Sequence, residues 1–312
     1  MTVIISHSDC LLHNSNIQHP ECPERLSVIS KALSSADLKT DLCYEEAPLA
    51  TYEQLYRVHD KKYIDYLFHS TPKEGFVYLD PDTIMSTHTF SASLRAAGAV
   101  VKAVDLLISN QATSSFCNVR PPGHHAERNR AMGFCFFNNI AVGVAHALNA
   151  HKLNRIAIID FDVHRGNGTE AIFFNNKKVL ICSIYEDHLY PFDSPKKAKN
   201  IINIPLLPGA TSREFRSEIT QHGLKKISVF KPQMIFFSAG FDGHIQDTIS
   251  NLNLTEWDYL WLTQQIKQIA QIHSQGQMIS VLEGGYALAS LGQCVLAHVK
   301  GLMGNLNFLN LG

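Results

Sequence analysis

No two cysteines in this sequence are spaced as CxxC, and the seven that occur (Cys10, Cys22, Cys43, Cys117, Cys135, Cys182 and Cys294) are an odd number set among mostly apolar neighbours. That argues against a disulfide framework and for buried thiols in a reducing compartment. Charge of one sign is lacking too. The net charge is -1 and the pI is near 7.0, so no overall field draws nucleic acid or an anionic membrane. No apolar run is long enough to span a bilayer. Met1–Ile5 has neither a basic leader nor a small-residue cleavage site, and Ser6, His7 and Asp9 interrupt it, so a first strand over 2–6 is expected there and not a secretion signal. Pro/Gly/Ser-rich linkers, low-complexity tracts, repeats and a GxSxG nucleophile motif are also missing. What is left is a chain of 312 residues, 45% hydrophobic, able to bury a large core. A single domain over 1–312 is expected, in a soluble, reducing intracellular setting, cytoplasmic by default.

The most informative stretch is Ile156-Ala157-Ile158-Ile159-Asp160-Phe161-Asp162-Val163-His164. Its first half is a β-branched apolar run, the pattern of a buried parallel strand. Alternation along an extended chain puts Asp160, Asp162 and His164 on one face. Gly166 and Gly168 then break the strand, and a helix over 169–176 follows. Two carboxylates and an imidazole at the carboxyl end of a central strand suit a divalent metal such as zinc; the bland alternative is a solvated strand end.

Elsewhere the chain alternates strand and helix. Helices are expected from Pro23 to about Ser34, over 52–69 with Leu55, Val58, Tyr63, Tyr66 and Leu67 inward, over 90–109, over 140–150, and over 255–274 with Trp257, Leu260, Trp261, Ile266 and Ile269 buried. Strands are expected at 116–119, 179–184, 234–238 and 278–282. The order argues for a parallel sheet covered on both faces. Several strand ends carry chemistry. The first of these leads into Arg120-Pro121-Pro122-Gly123-His124-His125, whose rigid turn can aim both imidazoles at one site. The strand at 234 ends in Asp242, a further candidate ligand, and the last ends in Glu283-Gly284-Gly285-Tyr286, which brings a hydroxyl to the same edge. Metal, histidine and tyrosine together suit metal-assisted amide hydrolysis.

Those motifs, with His19–Leu26 upstream and Gly133-Phe134-Cys135, resemble the zinc-dependent histone deacetylase and acetylpolyamine amidohydrolase family over nearly the full chain, closest to class II. The resemblance implies the arginase–deacetylase α/β fold, with one central, mainly parallel sheet flanked by helices on both faces. It implies one Zn²⁺ on Asp162, His164 and Asp242, and reassigns Asp160 to His124 and to a structural K⁺ shared with Ser183 and the carbonyls of Asp162, His164 and Ile184. It further implies His125 as general base and acid, His124 as its electrostatic partner, and Asn167 as the residue that orients His125. Tyr286 would bind the acetyl carbonyl; Gly133, Phe134 and Tyr190 would flank the acyl-lysine tunnel; Arg25 looks like the arginine associated with acetate release. The implied activity is hydrolysis of N-epsilon-acetyl-lysine in a histone-tail-like protein or peptide, without direct nucleic-acid or membrane binding.

The chain departs from the family at Arg165 and Tyr185, where histidines are usual, and after Asp242, where Gly243–Ile249 replaces the common Gly-Asp-Pro ending. Polyamine-selective relatives place a glutamate close to Ile249, so an apolar residue there favours acyl-lysine in protein. Asp82, Glu186 and Asp187 are expected at the rim. Deacetylation of acetylpolyamines or other small amides is the alternative, and a non-enzymatic acetyl reader is disfavoured because Tyr286 is kept.

Overall fold

The computed structural model describes residues 1–15, 18–35, 38 and 42–304. Eight strands form one sheet: β1 (Thr2–Ser6), β2 (Leu42–Glu46), β3 (Ser114–Cys117), β4 (Ile156–Asp160), β5 (Val179–Glu186), β6 (Ile201–Leu206), β7 (Met234–Ala239) and β8 (Met278–Leu282). Their order is β2-β1-β3-β8-β7-β4-β5-β6, and every neighbouring pair is parallel. Parallel neighbours need crossovers; most here run through helices that flank the sheet, while the irregular segment 187–200 joins β5 to β6. Thr89–Ile108 packs on Asn139–Asn149 in one group; Glu256–His273, Leu288–Met303 and Glu24–Ser35 pack together in another. The four central strands are buried at every position; β4, β7 and β8 are mainly apolar, whereas β3 (Ser-Ser-Phe-Cys) opens with two buried serines and starts two residues before the strand expected at 116–119. No helix among the described residues is long and apolar enough to cross a membrane.

The edges of the sheet were not anticipated. β2 is half polar, and β6 carries Asn203 and Pro205, which an edge strand tolerates because one side needs no ladder bond. The helix expected over 52–69 is two, Tyr52–Tyr56 and Lys61–Ser70, separated where Asp60 turns extended. Leu55, Val58, Tyr63 and Leu67 are buried as expected, but Tyr66 is 54% exposed. In Glu256–His273, Leu260, Ile266 and Ile269 face inward while Trp257 is 47% exposed. The turn after β4 becomes helical earlier than expected, at Asn167–Ile172.

Two core histidines set a pH limit on this fold. His59 donates from Nδ1 to the Glu127 carbonyl (2.9 Å) and accepts the Asn138 N–H at Nε2 (2.9 Å), so its ring is satisfied only when neutral. His298 lies between Thr263 Oγ1 and Ser280 Oγ. Burial pulls His59 down to about 4 and His298 down to about 3. The unfolded chain takes protons near 6.5, so the stabilisation is complete above that pH and is lost as pH falls toward the folded values. Urea unfolding at about pH 7 and about pH 5 is expected to show a loss of up to about 1.4 kcal/mol per pH unit for each histidine. An unfolding midpoint that holds steady over that interval would contradict the assignment.

Candidate active site

The strands β3, β8, β7 and β4 are consecutive neighbours, so the segments leaving their carboxyl ends meet over the middle of the sheet. Those segments carry His124 and His125, Glu283–Tyr286, Gly240–Asp242, and Asp162–His164. The histidine loop is tied down from several sides. Asn139 Nδ2 donates to the Pro121 carbonyl (3.0 Å) and Asn138 Nδ2 to that of Ala126 (3.2 Å). Glu283 Oε2 accepts the Gly123 and His124 N–H groups (2.6 and 3.1 Å), while its Oε1 accepts the Ser238 hydroxyl (3.1 Å).

β4 ends at Asp160, so Asp162 and His164 lie on the turn beyond it and are not placed by strand alternation. The turn nevertheless brings donor atoms of Asp162, His164 and Asp242 within 4.8 Å of one another. His164 Nδ1 is 2.9 Å from Asp162 Oδ1 and 3.2 Å from Asp242 Oδ2. The backbone holds the outer oxygens, Gly284 N–H on Asp162 Oδ2 (2.8 Å) and Val163 N–H on Asp242 Oδ1 (3.0 Å). Asp242 Oδ2 is buried, with the His164 imidazole at 3.2 Å beside it. A Cβ on Gly284 would collide with both carboxylates, so only glycine lets the chain pass here. Burial, then the Asp162 charge beside it, pushes Asp242 up to about 6. Burial alone would lower His164, but Asp162 and Asp242 hold it up at about 10. Two crowded buried acids and the one imidazole they share form a donor set that fits a divalent cation such as zinc.

The two adjacent histidines have opposite protonation. Burial would lower His124, yet Asp162 and Asp160 outweigh it and hold it at about 10. Its Nδ1 donates to Asp160 Oδ2 (3.1 Å). Burial, then the charges of His124 and His164, drives His125 well below its usual range. His125 Nδ1 meets Asn167 Oδ1 at 2.8 Å, so Nδ1 carries the proton and Nε2 keeps its lone pair.

The cavity reached by this group measures about 140 Å³. His124, His125, His164, Phe134, Tyr190 and Tyr286 line it, with Gly133 and Ile249 among the other walls. The Tyr190 ring stands edge-on to His125 at 5.0 Å, and Phe134 edge-on to Tyr286 at 6.0 Å. Gly133 has φ +56°, and a Cβ there would lie 2.5 Å from His125 Cδ2. Burial lifts the Tyr286 hydroxyl well above its usual range against the pull of Arg25, so it stays a hydrogen-bond donor. Ser183 is next to Asp160 in the sheet register, and its Oγ is buried without a hydrogen-bond partner among the described residues.

Three acids that support the site carried no distinct signal in the sequence. Glu283 was seen only as part of a glycine turn. Asp247 accepts the Tyr286 and Ala287 N–H groups (2.6 and 3.0 Å), seating the tyrosine. Glu21 joins two fully buried arginines, Arg25 and Arg120. Arg25 itself donates to the Gly285 and Glu283 carbonyls (2.7 and 2.5 Å) and lies 4.8 Å from the Tyr286 ring centre; it does not line the cavity. The rim expectation holds for Asp82, which lines the cavity, but not for Glu186. Glu186 is turned inward and buried, accepting the Asn251 N–H and side-chain amide (2.8 and 2.6 Å). Arg165 is buried against Glu170 (2.6 Å) and Asp193, and with Tyr185 and Asp187 it borders a neighbouring cavity of about 280 Å³.

Known proteins resemble the chain over most of its length. Residues 19–302 match the histone deacetylase domain. The chain is 34% identical to chloroplastic histone deacetylase 14 of Arabidopsis thaliana, over 97% of its own length and 77% of that protein. It is 32% identical to a histone deacetylase-like amidohydrolase of Pseudomonas aeruginosa, over 92% of its length and 77% of that protein. The crystal structure of the HDA15 HD domain superposes with a TM-score of 0.91 at 30% identity, covering 97% of this chain and 88% of that one. With the parallel sheet and the converging strand ends, these likenesses place the chain in the histone deacetylase family of hydrolases, with the arginase–deacetylase fold.

Proposed function

We propose that this protein hydrolyses N-epsilon-acetyl-lysine in acetylated proteins or peptides to lysine and acetate, with one zinc held by Asp162, His164 and Asp242. The reading is carried by one arrangement: a neutral His125, tied at Nδ1 to Asn167, shares a narrow cavity with Tyr286 and with His164, whose donor atom lies within 4.8 Å of those of Asp162 and Asp242. Bound there, zinc supplies a Lewis acid for the acetyl carbonyl and acidifies water. His125 Nε2 is free to take the proton of the attacking water and return it to the departing lysine amine. Asp160 orients His124, whose positive charge steadies negative charge developing beside it. Tyr286 donates its hydroxyl hydrogen to the acetyl oxygen. Phe134 and Tyr190 cover the lysine methylenes, and Gly133 leaves the width they need.

A potassium ion between Asp160 and Ser183, completed by the carbonyls of Asp162, His164 and Ile184, belongs to the same proposal. Its support is the buried, unpartnered Ser183 hydroxyl. The wall residue Ile249 carries no charge to hold a distant ammonium, which favours acyl-lysine in protein; the class II assignment rests on Pro121-Pro122-Gly123, Asn167 and Leu282–Tyr286. A small acetylated amine is the second reading, favoured by one observation: the Asp82 carboxylate lines the same cavity. Steady-state kinetics on an acetylated histone peptide and on N-acetylputrescine separate the two. A higher kcat/KM on the peptide supports the first reading; a reversed order overturns it. Replacing Tyr286 with phenylalanine is expected to lower kcat about 10²- to 10³-fold with zinc retained, the effect of losing one donor to a developing oxyanion. Wild-type turnover by that variant would remove the hydroxyl from the mechanism.

A further inference from the structure

A second group of ligating side chains meets at the far end of the molecule. Asp105 stands near the carboxyl end of Thr89–Ile108, the helix that feeds β3. His146 is near the carboxyl end of Asn139–Asn149, and His151 lies in the connection from that helix to β4. All three therefore sit toward the amino ends of the strands, away from the catalytic edge. Both histidines present Nε2 to the same oxygen, Asp105 Oδ1, at 2.8 and 2.7 Å. The three donor atoms lie within 4.8 Å of one another, and the two rings are 5.2 Å apart, edge to face.

We infer that Asp105, His146 and His151 bind a divalent transition metal, with zinc the best match, at a site separate from the catalytic one. Two imidazole nitrogens and one carboxylate oxygen, with a position left for water, are a zinc donor set. The site is accessible: Asp105 is exposed and His151 partly so. Arg57 competes with the metal: its Nη1 donates to His146 Nδ1 (3.2 Å). That contact keeps the His146 proton on Nε2, where it points at Asp105. Metal at Nε2 needs this proton moved to Nδ1, so Arg57 must turn away. Glu53 already holds Arg57 by its Nη2 (3.1 Å) and gives it somewhere to go. The bound ion would join the two helices that lead into β3 and β4.

The test is zinc content after equilibration with free zinc, compared between the wild-type chain, His151→Ala and Asp105→Asn. Each variant is expected to hold one zinc per chain fewer than wild type, with affinity at this site at least about tenfold weaker. Turnover of an acetyl-lysine peptide should be unchanged, which separates loss of this site from unfolding and from any fault in the catalytic reading. Arg57→Met should bind roughly two- to five-fold tighter, the size of one removed surface charge contact. Equal zinc content in wild type and both variants would overturn the inference, as would weaker binding by Arg57→Met.

Discussion

Replacing His125 with alanine is expected to lower kcat on an acetyl-lysine peptide by about 10²- to 10⁴-fold, the usual contribution of a positioned general base and acid. Zinc content should not change, because His125 contributes no atom to the Asp162, His164 and Asp242 cluster. The size of the effect follows from the environment of the ring. Burial and two neighbouring imidazoles keep His125 uncharged, and Asn167 fixes which nitrogen is bare. His124 cannot take over, since Asp162 and Asp160 hold its proton at about 10. Asn167→Ala should lose less, because the base remains and only its orientation is freed. Single-turnover rates with a fluorogenic acetyl-lysine substrate measure both variants. If His125→Ala keeps a rate within a few-fold of wild type, proton transfer does not pass through this residue.

Glu21→Ala should cost about 3–5 kcal/mol of folding stability, the penalty for stripping a buried charge of its partner. Glu21 is fully buried and its carboxylate serves two fully buried guanidinium groups. Its Oε1 accepts from Arg25 Nη1 (3.1 Å) and Arg120 Nε, and its Oε2 from Arg120 Nη2 (2.7 Å). Burial alone would raise its pKa, but Arg120 and His13 hold it well below the usual carboxylate range. Without it, both cations remain in the core, with their other hydrogen bonds going mainly to backbone carbonyls. Activity should fall as well, since Arg25 supports the turn that seats Tyr286. Equilibrium urea unfolding gives the stability change directly. A shift below about 1 kcal/mol would mean that the arginines find water or another acid, and that the brace is dispensable.

The groups proposed to react could be read from the chain because each breaks a local rule. Asp160, Asp162, His164 and Asp242 follow apolar runs in which charged residues need compensation, and His124 and His125 follow a proline-glycine turn. The central strands β4, β7 and β8 were legible for the related reason that burial on both faces writes a mainly apolar run, whereas β3, which opens with Ser114 and Ser115, was expected two residues too late. The edges β2 and β6 were not, because a strand paired on one side only can be polar and can carry proline. The supporting acids were harder still. Glu21, Asp247 and Glu283 owe their meaning to partners far away in sequence, such as Arg120 for Glu21 and Gly123 for Glu283. Glu186 misled for the converse reason: with the strand expected to end at 184 it looked solvated, but the strand runs on to Glu186 and Asn251, distant in the chain, covers it. Tyr66 and Trp257 show that helical spacing fixes a stripe only to within one position.

The central claim is that Asp162, His164 and Asp242 grip one zinc on which amide hydrolysis depends. Zinc content and acetyl-lysine turnover, measured on the same samples of wild type and Asp242→Ala, test it most directly. The account predicts that the variant holds one zinc per chain fewer than wild type and loses turnover with it. An Asp242→Ala protein that keeps the wild-type zinc content, or that deacetylates at the wild-type rate without it, would contradict the account.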